Sequence, residues 1–214
     1  GKGSGGVAAG GGGPGEAFRV SRQNLSKTME GIADSGMLVS EPFAGADGLE
    51  ALLHALVIDI GAGTADFCVM QGRYPTEEDQ RTLPNAGDSI DEQLDKLIRE
   101  RHPEAQFSIH MIRQWKERWS FVGEPRDRVV ITAPVKGKAT EIDITNEMRA
   151  ACESVVAPIT ETMADLLARV EPEYQERVRH NIILAGGGSQ IPGLAGPMGK
   201  VLAETRGDVQ EAID

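Results

Sequence analysis

Two short stretches order glycines and carboxylates in a way that suits phosphate chemistry. The first is Asp59-Ile60-Gly61-Ala62-Gly63-Thr64-Ala65-Asp66. Glycines let the backbone approach an anion, and successive N–H groups can form an anion-binding nest. A carboxylate at a strand end, the place of Asp59, suits a hydrated Mg²⁺, which prefers carboxylates plus retained waters. The same residues also suit a plain hairpin turn with an acid at its mouth, so the stretch alone leaves both readings open. The second is Leu184-Ala185-Gly186-Gly187-Gly188-Ser189. A strand, a glycine loop and a helix in that order let a flat or anionic ligand lie against bare backbone. Such junctions are common, and the two loops carry more weight together than either does apart.

Both loops need strands before them, and the pattern supplies these. Ala55–Ile60 reads as a buried strand and Ala65–Gly72 as a second, joined by the first glycine loop into an antiparallel hairpin. A polar loop over Arg73–Gln80 leads to a short strand near Arg81–Leu83. Asn85-Ala86-Gly87-Asp88 opens a helix over Ser89–Arg101, with Ile90, Leu94, Leu97 and Ile98 on one face and His102-Pro103 as its stop. A further helix is expected over Ser108–Phe121. A hairpin of Arg128–Ala133 and Lys138–Ile144 turns at Val135-Lys136-Gly137. Thr145 reads as the N-cap of a helical stretch that runs to Val170 and bends at Pro158. Asn181–Ala185 is the strand that feeds the second glycine loop, and a last helix starts at Pro192. Earlier in the chain, helices are expected over Ala17–Ser35 and Ala44–Leu53, with an extended segment at Met37–Phe43 between them. The first fifteen residues hold nine glycines and are expected to be a flexible tail. Strands covered by helices indicate an α/β or α+β fold.

Composition narrows the function. The 214 residues carry 22 Lys and Arg against 33 Asp and Glu, a net charge of −11, which argues against a nucleic-acid surface. The longest apolar run, about Ala55–Ile60 and interrupted by Asp59, falls far short of the roughly 18 residues of a membrane span. The first residues lack the basic, apolar and small-residue order of a secretory leader. Cys68 and Cys152 are too few for a disulfide framework and read as reduced core residues. His54, His102, His110 and His180 show no metal-ligand spacing. Trp115 and Trp119, four apart on one helix, read as packing residues.

The pairing of DIGAGTAD with ILAGGGSQIPGL resembles the phosphate-2 and adenosine motifs of the actin, Hsp70 and sugar-kinase superfamily. Within it, Ser40-Glu41-Pro42-Phe43 and AGDSIDEQL (Ala86–Leu94) are similar to segments of the bacterial actins of the MreB type. Arg113–Gly123, read RQWKERWSFVG, resembles the actin-type helix whose Lys-Glu pair meets the nucleoside. With the stretches PTEEDQ, ERHPE and EPEYQ, the whole is most similar to the magnetosome branch of these bacterial actins, over about Gln23 to Glu204.

The resemblance implies an actin-like, ribonuclease H-like ATPase fold. It assigns residues 17–54 to a hinge helix region, 55–87 and 145–206 to a lower lobe, and 88–144 to an upper lobe. Residues 1–16 and 207–214 are left as tails. These lobes make up the second domain of the family. The first, with its own phosphate-1 loop, has no counterpart motif in the sequence and is expected to be absent. The resemblance also implies ATP or ADP with Mg²⁺ as cofactors. Asp59 would order the metal-bound waters and Glu41 would orient the attacking water, the two catalytic roles. Gly61, Ala62, Gly63 and Thr64 would hold the β- and γ-phosphates. Lys116 and Glu117 would contact ribose and base, and Gly186, Gly187, Gly188 and Ser189 would floor the adenosine. Two departures stand out: Ala65 replaces the commoner second Thr, and the region beyond about Arg206 is short. The implied function is a cytoplasmic filament subunit along the magnetosome chain, with its own kind and magnetosome-associated proteins as partners. A catalytically inactive interaction or capping module is the alternative, and a small-molecule kinase of the same fold is a second one. ATPase activity stays open at this point, because one phosphate loop is missing.

Overall fold

The structure is a computed structural model that describes residues 53–73, 75–200 and 202. Glu41 and the helices expected before Leu53 lie outside the described residues, as do residues 203–214.

Alternation builds the main sheet. Strand β1, His54–Ile60, pairs antiparallel with β2, Ala65–Gln71, in the register Ile60↔Ala65 through His54↔Gln71. In β2 every second residue, Ala65, Phe67, Val69 and Gln71, is buried. Strand β3, Gln80–Leu83, extends the sheet beyond β2. Strand β6, Ile182–Ala185, lies parallel to β1 on the other side, so the order is β3-β2-β1-β6. Both glycine loops therefore follow neighbouring strands at the same end of the sheet. Asp59 pairs with Ala185, two residues before Gly61 and one before Gly186.

Helix α1, Gly87–Arg101, starts two residues earlier than the pattern predicts. Its N-cap, Ala86, has no capping side chain. The first-turn N–H groups find partners in the hairpin loop instead: Gly87 donates to the Gly61 carbonyl at 3.1 Å and Asp88 to that of Ala62 at 2.7 Å. Its buried face holds Ile90, Leu94 and Ile98 as expected. Each fully buried side chain of this size contributes roughly 1.5–3 kcal/mol relative to exposure. Helix α2, Ile109–Trp119, is capped by the Ser108 side chain, which accepts from the Met111 N–H.

Strands β4, Val130–Val135, and β5, Lys138–Asp143, form a separate hairpin. Its turn is confined to Lys136 and Gly137, both at positive φ, as a two-residue hairpin turn demands. Thr145 is the first residue of helix α3, Thr145–Glu153, and not its cap. Asp143 takes the capping part, accepting the Thr145 N–H at 3.0 Å, while the Thr145 hydroxyl accepts the Val129 N–H. The bonds from Thr145 and Arg128 hold the Asp143 carboxyl well below the usual carboxylate range.

The long helix expected to bend at Pro158 is two helices. α3 ends at Glu153 and α4, Val156–Arg169, begins after a break at Ser154-Val155. Pro158 falls in the first turn of α4, where a missing N–H costs no helical bond. Helix α5, Pro172–Arg179, is an element that the sequence pattern does not predict. It packs on the start of the sheet through buried Val178 and through Tyr174, stacked on His54 at 4.9 Å. After the second loop, helical residues begin at 195, three later than expected. One continuous core joins Leu56, Ile58 and Phe67 of the sheet to Leu94 of α1, Ile131 of β4 and Met163 of α4. Cys68 and Cys152 are free thiols, and burial pushes them up to about 12 and about 11, so both stay neutral.

Candidate functional site

The two glycine loops touch. Gly186 has φ +78°, a conformation other residues rarely adopt. A Cβ on it would overlap the Asp59 carboxylate and the Ile60 carbonyl, and one on Gly188 would overlap the Ile60 side chain. Glycine at both positions is what lets the loop after β6 lie against the end of β1. Gly187, between them, has open space where a Cβ would stand.

A cleft of about 430 Å³ opens along this ledge. Six of the residues predicted for the site line it: Gly61, Ala62, Lys116, Glu117, Gly187 and Gly188. They come from three separate parts of the chain. Gly63, Thr64, Gly186 and Ser189 belong to the same two loops and Asp59 to the end of β1, but none of the five lines the cleft. The Thr64 hydroxyl donates to Asp66 at 2.9 Å, and Asp66 also accepts from Thr82, so this pair braces the hairpin turn. The Ser189 hydroxyl donates to the Gly186 carbonyl at 2.7 Å and braces the second loop. Asp59 is half-buried at the point where the loops meet.

The far wall is the C-terminal half of α2 with the segment after it. The Val122 N–H donates to the Pro192 carbonyl at 2.8 Å. Gly193, at φ +86°, packs under the Val122 carbonyl where a Cβ would not fit. This contact ties the end of α2 to the segment after the second loop and closes the cleft from behind. Trp115 is core, tilted against Phe107 at 5.7 Å, and Trp119 packs against the core from its edge, as expected of packing residues.

The sequence reading missed several lining residues. Gly87 and Ile90 reach the cleft because α1 docks on the first loop, and Gln190, Ile191 and Pro192 follow the second loop. Arg118 lines it too, with its guanidinium 4.9 Å above the Trp119 ring. Asp91 was also missed. It is buried behind the cleft and paired with Lys116 at 2.8 Å. Its signal was present: a carboxylate beside Ile90 and three residues before Leu94, on a helix face otherwise apolar.

The cleft suits a nucleotide with its metal. It is walled by bare backbone on two sides, has the Asp59 carboxylate at the loop junction, and offers side chains of both signs at its mouth. Among the described residues no three His, Cys, Asp or Glu side chains are grouped to hold a metal directly. A cation here would be held by phosphate oxygens and water together with Asp59. A second hollow, of about 460 Å³, is lined by Arg101, His102, Val135 and Asp143 among others and has no glycine backbone.

Comparison with known proteins shows the family and the fold. A family model described as MreB/Mbl protein matches residues 12–205. The actin-like protein MamK of Paramagnetospirillum magneticum is 40% identical over 182 residues, covering 85% of this chain and 52% of the relative. MamK of Magnetospirillum gryphiswaldense is likewise 40% identical over 182 residues, covering 85% of this chain and 51% of the relative. The chain thus spans about half the length of the curated relatives it matches. Among solved structures, a MamK double helical filament superposes with a TM-score of 0.70 at 42% identity, over 78% of this chain and 51% of that one. A non-polymerising MamK mutant bound to AMPPNP gives 0.69 at 41% identity, over 73% and 48%.

Proposed function

The chain belongs to the MreB/Mbl family, and from that membership we propose that it is an actin-like, magnetosome-associated cytoskeletal polypeptide whose cleft takes ATP or ADP with Mg²⁺. The observation that carries this reading is the meeting of Gly61, Ala62, Gly187 and Gly188 with Lys116 and Glu117 around one cleft. The phosphates would lie on the Gly61–Thr64 loop and the adenosine on the Gly186–Ser189 loop, with Lys116 and Glu117 beside the ribose and base. Mg²⁺ neutralises phosphate charge when bound. Asp59 would hold its water shell. Glu41 would orient the attacking water. Residues 55–87 and 145–206 act as a lower lobe and 88–144 as an upper one.

In the same reading the chain's partners are filament subunits of its own family, added head to tail inside the cell along the magnetosome chain. Its place is on those filaments and not across a bilayer. No described helix is long and apolar enough to cross a membrane. A head-to-tail contact that does not close on itself propagates a filament. A 214-residue polypeptide presents part of such a contact. Below about 1,200 Å² of buried surface an interface is of the weak class. We therefore expect a monomer at micromolar concentration that joins or caps filaments of a MamK protein. Co-pelleting with MamK filaments, and filament length by electron microscopy, test this. Co-pelleting or shortened filaments support the reading. A chain that does neither contradicts it.

A further inference from the structure

Asp91 is a carboxylate where the helical pattern asks for a hydrocarbon. It lies on the buried face of α1 with Ile90 and Leu94 and is 2% exposed. A buried carboxylate persists only where cations or donors meet it. Two cations from α2 do so: Lys116 Nζ at 2.8 Å and Arg113 Nε at 3.3 Å. The two differ in what else they reach. Arg113 is half exposed and leans toward Asp88 at the surface. Lys116 is 17% exposed, and its Nζ also donates to the Gly87 carbonyl at 2.9 Å. Gly87 in turn donates its N–H to the Gly61 carbonyl, and Asp88 donates to that of Ala62. A chain of contacts thus runs from Asp91 through Lys116 and Gly87 to the first glycine loop.

Resting on the nucleotide reading above, we propose that Asp91 is the positioning residue of the cleft: it holds the Lys116 ammonium on the first turn of α1, and so fixes the α2 wall to the Gly61–Ala62 loop. Two consequences follow for the site. The Lys116 charge is satisfied inside the protein, so this residue meets a ligand with its methylene stem and not as a phosphate-binding cation. The wall beside the nucleoside and the loop under the phosphates also move as one body.

The test uses the whole chain with Asp91→Asn, Lys116→Met and the double variant. Asparagine keeps the shape of Asp91, and methionine keeps the stem of a side chain near the surface, so at least one variant is expected to fold. Amide hydrogen exchange is read by NMR without ligand, and the same samples are then titrated with Mg-ATP to millimolar concentration. Exchange at Gly87 and Asp88 should rise about tenfold in each single variant and no further in the double, with the β1 amides unchanged. The ATP response at Gly61 and Ala62 should weaken in parallel. Unchanged exchange at Gly87 and Asp88, with a wild-type ATP response, would overturn the role of Asp91. A rise that includes the β1 amides would make Asp91 a general stability residue and overturn it equally. A wild-type chain that ATP leaves unmoved would instead overturn the nucleotide reading on which the proposal stands.

Discussion

Gly186 packs its Cα against the Asp59 carboxylate, with no room between them for a methyl group. This one contact turns two glycine loops, more than 120 residues apart in sequence, into a single ledge. It also separates two kinds of glycine. Gly186 and Gly188 are needed for the loops to meet, and Gly187 stands free at the cleft surface.

Gly186→Ala should therefore damage the fold. Positive φ and overlap with Asp59 and Ile60 together should cost about 3 kcal/mol, read as a lower urea midpoint. A wild-type midpoint would mean that the loops are not in contact.

Gly187→Ala should do the reverse. Its added methyl meets nothing within 4 Å, so stability should stay within about 0.5 kcal/mol of wild type. The methyl enters the cleft, and Mg-ATP binding by equilibrium dialysis should weaken about tenfold, or about 1.4 kcal/mol. Equal binding by the variant would place the ligand elsewhere.

Asp79 sets a pH dependence. Burial alone would raise its pKa, but the bonds from Arg73 and from the Thr76 N–H and hydroxyl outweigh it, and the carboxyl is held below its ordinary value. The unfolded chain thus binds more protons near pH 4 than the folded one. The stabilisation is complete above the unfolded value of about 3.9 and is lost as pH falls through the folded pKa. Asp79 also accepts from buried Gln71 at 2.8 Å. Asp79→Asn should cost about 1–3 kcal/mol at pH 7 and lose less stability than wild type between pH 5 and 3. Parallel curves for the two proteins over that window would rule Asp79 out as the source.

Turnover should be near background in the 214-residue polypeptide. In-line transfer needs the γ-phosphate fixed from both sides, and this sequence carries one D-x-G-x-G-T loop. Phosphate release under Mg-ATP is the measurement. Robust release, abolished by Glu41→Ala, would show that one loop suffices.

Much of this was legible in the residues. The β1–β2 hairpin, the strand into the second loop and the apolar face of α1 follow from period and punctuation, which are local signals. What was not legible depends on partners distant in the chain. Thr145 has the side chain of a cap but is displaced from that role, because Val129 donates to its hydroxyl and Asp143 takes its N–H. Pro158 reads as a kink only if the helix is already running, and it starts at Val156. α5 looks polar all round until His54 is brought against Tyr174. Asp91 and Lys116 lie 25 residues apart, and only the packing of α2 on α1 shows that they pair.

The most direct measurement is an amide NMR titration of the chain with Mg-ADP and Mg-ATP, since everything rests on the cleft between the two glycine loops. Saturable shifts are predicted at Gly61, Ala62, Gly187 and Gly188, with the β4–β5 hairpin unmoved. No shift at millimolar nucleotide, or shifts centred on the hollow beside His102 and Asp143, would contradict the nucleotide site.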